Sequence, residues 1–249
     1  MPAMIGAGLC LPASGDWPPN SYTAAYRVLI DGKPRLETRV RFERSAESWE
    51  MSTDGEGTKG LARLVNATTR DRASGSLDGH HVLTERFSHH ASMTFKTVAW
   101  DAEFDWENGE VRITQDESDR VFPLQRGMVD PLGLTLEIQS RLERGHEHWD
   151  TRVVEDEEVD SQKFRALPVA PLATSIGCIE AVEVQRVREN SKRYSSIWHA
   201  RDLDWITVRM VHGKRGGNEF EMQITELSLD GHSIKLAPSC EKSNRENPQ

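Results

Sequence analysis

The chain has no long apolar run, no excess of Lys and Arg, few cysteines and no catalytic signature, and each absence removes a class of function. A helix that crosses a bilayer takes about 20 consecutive apolar residues, and no stretch reaches that length. With 31 Lys and Arg against 40 Asp and Glu, the formal net charge is −9. Phosphate binding needs a clustered basic excess, so no nucleic-acid partner is expected. Gly-x-Ser-x-Gly, His-Glu-x-x-His and phosphate-cradling glycine loops are all missing. The residues therefore name no reaction and no cofactor. Ser239 and Lys242 keep a Ser-x-x-Lys spacing, but in a polar tail, and catalysis needs a nucleophile fixed against its base.

What the chain does have is alternation. From Tyr22 to Ile234, apolar and polar residues follow each other with a period of two, the pattern of strands with one dry and one wet face. Val98, Trp100, Ala102, Phe104 and Trp106 share one face of the clearest strand, ended by Glu107-Asn108-Gly109. Tyr22 to Ile30 and Leu36 to Phe42 flank an Asp31-Gly32-Lys33-Pro34 turn, and Ile206 to Met210 and Phe220 to Ile224 form a late hairpin. Further strands are expected at Trp49–Thr53, Ala62–Thr68, His81–His89, Val111–Ile113, Trp149–Val154, Gln162–Leu167, Ile179–Val187 and Arg193–His199. Asp130-Pro131 opens the one expected helix, with Leu132, Leu136, Ile138 and Leu142 as its apolar stripe and Gly145 as its stop. The fold class is mainly β: a large antiparallel meander forming a curved sheet or open β-barrel with one short helix.

No linker divides the 249 residues, and one all-β domain of roughly that size is ordinary. Residues 1–15 read as a truncated signal peptide: Met4–Leu11 is small and apolar, Pro12-Ala13-Ser14-Gly15 suits cleavage, and the basic n-region is absent. Leu9 before Cys10 argues against a lipidated cysteine. Residues 16–237 form the β domain and 238–249 a polar tail, and the expected location is the periplasm of a Gram-negative envelope. Cys178 and Cys240 are then left, and an oxidising compartment can pair them or leave them as free thiols. The acidic run Glu155–Asp160 reads as a solvated loop or edge.

Ala102-Glu103-Phe104-Asp105-Trp106 with Gly109-Glu110-Val111, Asp130-Pro131-Leu132 opening a helix, and Trp198 with Ala200, Asp202 and Val208-Arg209 are similar in order and spacing to bacterial envelope proteins of the domain of unknown function 3108 family. The resemblance covers most of residues 22–230. It implies export and an antiparallel β fold, with no activity attached. Thr207 stands where that family often has Pro before the Val-Arg pair, so the pairing of the late strand is expected to differ.

Candidate sites follow from residue chemistry. His80-His81 and His89-His90 are a poor metal set, since neighbours on a strand face opposite ways and the two pairs stand about 26 Å apart if extended. His146 and His148 have chelating spacing but no third ligand, so no metal site is expected. Asp105, Asp130, His146 and His148 are the candidates for acid–base work; Asp101 and Glu103 read with Asp105 as a wet strand face, and Asp130 also reads as a helix cap. Trp100, Phe104, Trp106, Trp198 and Trp205 are candidate ligand-binding aromatics, since an incompletely closed sheet can hold a lipid or glycan chain. Three functions are compatible: a carrier for an apolar or glycan-type ligand, a hydrolase of an envelope polymer, and a structural or assembly partner.

Overall fold

The computed structural model describes residues 17–237 and Cys240. The segment read as an export signal, and Ser239 with Lys242, lie outside the described residues. The first half is a meander of β1 (Tyr22–Ile30), β2 (Lys33–Arg44), β3 (Ser48–Gly57), a short helix α1 (Gly60–Leu64), β4 (Thr68–Asp78), β5 (His81–Met93), β6 (Lys96–Asp105), β7 (Glu110–Gln115) and β8 (Ser118–Pro123). A two-residue strand β9 (Met128–Val129) leads into α2 (Gly133–Glu143). The second half is β10 (His148–Val154), β11 (Val159–Ala166), β12 (Ala170–Thr174), β13 (Gly177–Val187), β14 (Arg193–Ala200), β15 (Ile206–Lys214), β16 (Glu219–Leu229) and β17 (His232–Ser233).

β1 pairs antiparallel with both β2 and β16, which joins the two meanders into one 17-stranded sheet. The sheet runs from β8 back to β1, crosses to β16, and continues through β15, β14, β13, β11 and β10 to β9. β9 lies parallel to β10, so the sheet is mixed rather than wholly antiparallel. Its two ends meet without a ladder. Arg120 donates to the Glu157 carbonyl at 2.7 Å and Arg152 bonds Gln125, so side chains lace a seam that backbone pairing leaves open.

The local chemistry explains the hairpins. Asp31-Gly32 turns the chain in two residues, both at positive φ (51° and 71°), the backbone a type I′ turn demands and which Asp and Gly tolerate. Lys33 and Pro34 already belong to β2. Asp230-Gly231 repeats the device at 46° and 81°.

Side chains of the inner face form the core: Tyr22, Tyr26, Phe42, Trp49, Met51, Phe87, Trp100, Phe104, Val111 and Ile113 are all buried. α2 fills the concavity they line. Gly133, Leu136, Glu137, Ile138, Gln139, Ser140 and Leu142 are buried, so the helix is enclosed on more than its apolar stripe. Ser140 Oγ donates to the His80 carbonyl at 2.7 Å and fastens the last turn of the helix to the β4–β5 turn.

Two expectations are corrected. Ala62–Thr68 is not a strand: Gly60 at φ 61° starts α1, and β4 begins only at Thr68, so the chain has a second helix. The polar run Thr68–Asp78, which lacks clean alternation, is nonetheless a strand, because β3 and β5 pair with it on both sides.

Candidate functional site

Asp105, Asp130 and His146 are engaged with local structure, and His148 is exposed. Asp105 is fully exposed and closes its own turn, its Oδ1 accepting from the N–H groups of Glu107 (3.1 Å) and Asn108 (2.9 Å) and its Oδ2 from Asn108 Nδ2 (2.7 Å). Those bonds, led by the Asn108 side chain, hold its carboxyl below the usual range. Asp130 is 0% exposed. Its Oδ1 accepts from Leu132 N–H at 2.7 Å and Gly133 N–H at 3.0 Å, and its Oδ2 from Thr84 Oγ1 at 2.7 Å, so it caps α2 and ties it to β5. Burial raises its pKa to about 6 against those bonds. Gly133 is what permits the approach, because a Cβ there would stand 2.6 Å from Asp130 Oδ2 and 2.8 Å from Thr84 Oγ1. His146 follows the Gly145 turn after α2, and His148 opens β10 exposed. Among the described residues no hydrogen bond or ion pair joins any two of these four.

The aromatic candidates are likewise committed. Trp100 (7% exposed) and Phe104 (5%) lie in the packed core, and Trp106 donates Nε1–H to the Thr84 carbonyl at 2.7 Å. Trp205 donates Nε1–H to Glu143 at 2.6 Å, while its carbonyl accepts Nδ1–H of buried His199 at 2.8 Å. Burial lowers the His199 pKa to about 4, so it is a neutral core group. Trp198 pairs across the ladder with Arg209, whose guanidinium stacks 4.7 Å over the ring. None of the five lines the cavities described below.

Among the described residues no group of three or more His, Cys, Asp and Glu can hold a metal ion. Among the described residues, His89 is the one of the four paired histidines that touches a carboxylate, its Nδ1 lying 2.6 Å from Asp71 Oδ1 across the β4–β5 ladder. Neither sequence spacing nor composition could show that contact, because register creates it.

The arrangement with ligand character lies elsewhere, on the inner face of β11, β13, β14 and β15. A cavity of about 150 Å³ has Leu134, Phe164, Ile197 and Met210 as its apolar wall and Gln162, Arg186, Arg188, Ser195 and His212 as its polar one. Arg186 is ion-paired with Asp160. Arg188, half-buried, has no carboxylate partner among the described residues and donates to Ser195 Oγ at 3.2 Å, which in turn bonds His212 Nδ1 at 2.7 Å. Burial, then the charges of Arg188, Arg193 and Arg186, push the His212 pKa down. Burial and Arg186 lower Arg188 as well. Burial is the first cause of both shifts and the neighbouring arginines add to it, while Asp160 and Glu155 act the other way on Arg188; an incoming anion would add to that compensation.

Of the larger hollows, one of about 730 Å³ lies across β2 to β7 and one of about 810 Å³ across β16 and β1 to β5. Arg70 and Arg72 pair with Asp54 and Arg112 with Asp119 across strands, and Arg27, Arg39 and Arg86 are exposed, so these hollows read as a solvated face. The sequence did carry one signal of the inner pocket. Arg186 and Arg188 continue the two-residue phase of buried Val182 and Val184, and charge in the dry phase of a strand marks a cavity.

Residues 21–224 match the family described as "Protein of unknown function (DUF3108)". The chain is similar in fold to a crystal structure of a "Beta-barrel-like Protein of Domain of Unknown Function DUF1849" from Brucella abortus, with TM-score 0.55 and 12% identity over 85% of this chain and 98% of that one. Weaker likenesses are a putative lipoprotein from Parabacteroides distasonis, with TM-score 0.37 and 9% identity over 84% of this chain and 95% of that one, and a putative exported protein of YmcC-like fold from Bacteroides fragilis, with TM-score 0.32 and 8% identity over 84% and 97%. No curated protein sequence matches the chain.

Proposed function

The chain belongs to the DUF3108 family of proteins of unknown function, and from that premise we propose that it is an exported, non-enzymatic binding module that takes one end of an acidic amphiphile, a lipid-type ligand, in the inner pocket. The observation that carries the reading is Arg188: a half-buried guanidinium with no carboxylate in ion-pair contact among the described residues, above an apolar wall of Leu134, Phe164, Ile197 and Met210. Burying a charge is costly unless it is paired, and an incoming carboxylate or phosphate supplies the pair. At about 150 Å³ the cavity is smaller than the roughly 300–1,000 Å³ that encloses a whole drug-sized ligand. It therefore holds a headgroup and the first carbons, with the remaining chain extending out.

The Cys178–Cys240 disulfide supports export, because such bonds persist in oxidising compartments. The periplasm is the location this reading assigns. No helix among the described residues is long and apolar enough to cross a membrane. A glycan carrier is less favoured, since the tryptophans that would stack on sugar are packed or stacked by protein groups.

Titration with a fluorescent fatty acid, competed by dodecyl phosphate or by neutral dodecyl maltoside, tests this. Dodecyl phosphate should compete and the maltoside should not. Arg188→Ala should weaken binding by about 10- to 100-fold, as expected for a charge-assisted hydrogen bond, whereas Arg209→Ala beside Trp198 should leave it unchanged. Equal competition by the neutral detergent, or unaltered affinity in Arg188→Ala, would remove the basis of the proposal.

A further inference from the structure

Seven large apolar side chains are exposed among the described residues, and four of them stand at one tip: Leu61 (69%), Leu64 (78%), Met93 (46%) and Phe95 (94%). The tip is built from two segments. α1 occupies the β3–β4 connection, and Thr94 of the β5–β6 turn donates both its N–H and its hydroxyl to the Val65 carbonyl, each at 2.8 Å. Nothing in the core depends on these side chains, for α1 has no buried residue. The backbone is nonetheless fixed, with Gly57 N–H donating to the Ala67 carbonyl at 2.7 Å.

The charge of the tip opposes that of the chain. Residues 57–68 and 93–97 contain Lys59, Arg63 and Lys96 and not one Asp or Glu, in a sequence whose net charge is −9. All three cations are exposed. An apolar cluster ringed by cations is the composition that settles into the interface of an anionic membrane, the apolar groups among the acyl chains and the basic stems reaching back to the headgroups.

Register places the tip at the same end of the sheet as the inner pocket. Ser195 pairs with His212, His212 with Phe220, Phe220 with Ile30 and Ile30 with Lys33, one continuous row, and Leu36 of β2 pairs with Gly57 at the base of α1. His212 and Gly57 are four strand spacings apart, about 19 Å across the strands, with Gly57 offset by three residues, about 10 Å, along β2. We propose that this tip docks on an anionic lipid surface, inserting Leu61, Leu64 and Phe95 and setting Lys59, Arg63 and Lys96 against the headgroups. Docked this way, the end of the sheet bearing the pocket faces the bilayer. The docking stands on exposure and charge alone, and it holds or fails independently of what the pocket takes.

Co-sedimentation with phosphatidylglycerol-rich vesicles and with pure phosphatidylcholine vesicles tests the proposal. Each cation near an anionic surface contributes about a fivefold gain, so three give a preference of about a hundredfold for the anionic vesicles. Leu64→Ser with Phe95→Ser should weaken binding to them by about tenfold or more. Lys59→Glu with Arg63→Glu and Lys96→Glu should abolish the preference. These residues are exposed, so both variants should keep the wild-type melting temperature and the soluble fatty-acid affinity, while Arg188→Ala should still dock. Wild-type protein left in the supernatant with both vesicle types, or undiminished docking of the serine variant, would overturn the proposal.

Discussion

Asp130→Ala is expected to destabilise the protein by about 2–4 kcal/mol at pH 7, because three donors lose their acceptor in the core and each unsatisfied buried group costs about 1–3 kcal/mol. The donors are Leu132 N–H, Gly133 N–H and Thr84 Oγ1–H. For a domain of this size that lowers the melting temperature by about 4–16 °C. The sum is smaller than three full penalties because the carboxylate is itself costly where it sits. Burial raises its pKa from 3.8 to about 6, so the folded state holds the proton more tightly than the unfolded chain does. The stability this contributes is fully present below pH 3.8 and lost as pH rises through about 6, a swing of about 3 kcal/mol at 1.36 kcal/mol per unit. Asp130→Asn separates the two effects. Its amide oxygen still accepts from Leu132 and Gly133, and it does not titrate. Urea unfolding of both proteins between pH 4.5 and 7.5 should show the wild type losing about 2 kcal/mol relative to Asn as pH rises. A pH-independent difference would show that the capping carboxyl is not the titrating group.

Removal of the Cys178–Cys240 bond is the second large effect. The bridge closes a loop with a sequence separation of 62, which by loop-closure entropy is worth up to about 4 kcal/mol, and measured losses run at about 2–4. It also pins the segment that follows β17. Leu236 N–H donates to the Ile176 carbonyl and Cys178 N–H to the Ala237 carbonyl, both at 2.8 Å. Gly177 is fitted to that strap, since a Cβ there would lie 2.6 Å from Leu236 Cβ and 2.8 Å from the Ala237 carbonyl oxygen. Cys178→Ser with Cys240→Ser should lower the urea midpoint and raise amide exchange first at position 178, Leu236 and their neighbours. Loss of stability without that local exchange would place the effect elsewhere in the sheet.

The sequence is most legible where alternation is strict. The Trp100 strand, the Asp31-Gly32 hairpin and the Ile206–Ile224 hairpin form as their period of two requires, and Asp130 caps the helix that it precedes. Reading failed where neighbours decide. Thr68–Asp78 is polar on both faces and becomes a strand only because β3 and β5 flank it. The seam between β8 and β10 is held by side chains from distant segments, which no local pattern encodes. The same reason hid the pocket. Gln162, Arg188, Ser195 and His212 come from separate stretches of chain and meet through the register of four strands, whereas the conspicuous tryptophans proved to be core or stacked groups. Asp105 and Asp130 drew notice as carboxylates, but their positions at a turn and a helix start are what their chemistry serves.

Native mass spectrometry of the protein isolated from its source cells, beside Arg188→Ala prepared the same way, tests the central claim most directly. The account predicts an acidic lipid adduct on the wild type that is lost or sharply reduced in the variant. An apo mass for both, or a neutral glycan adduct that survives the substitution, would contradict it.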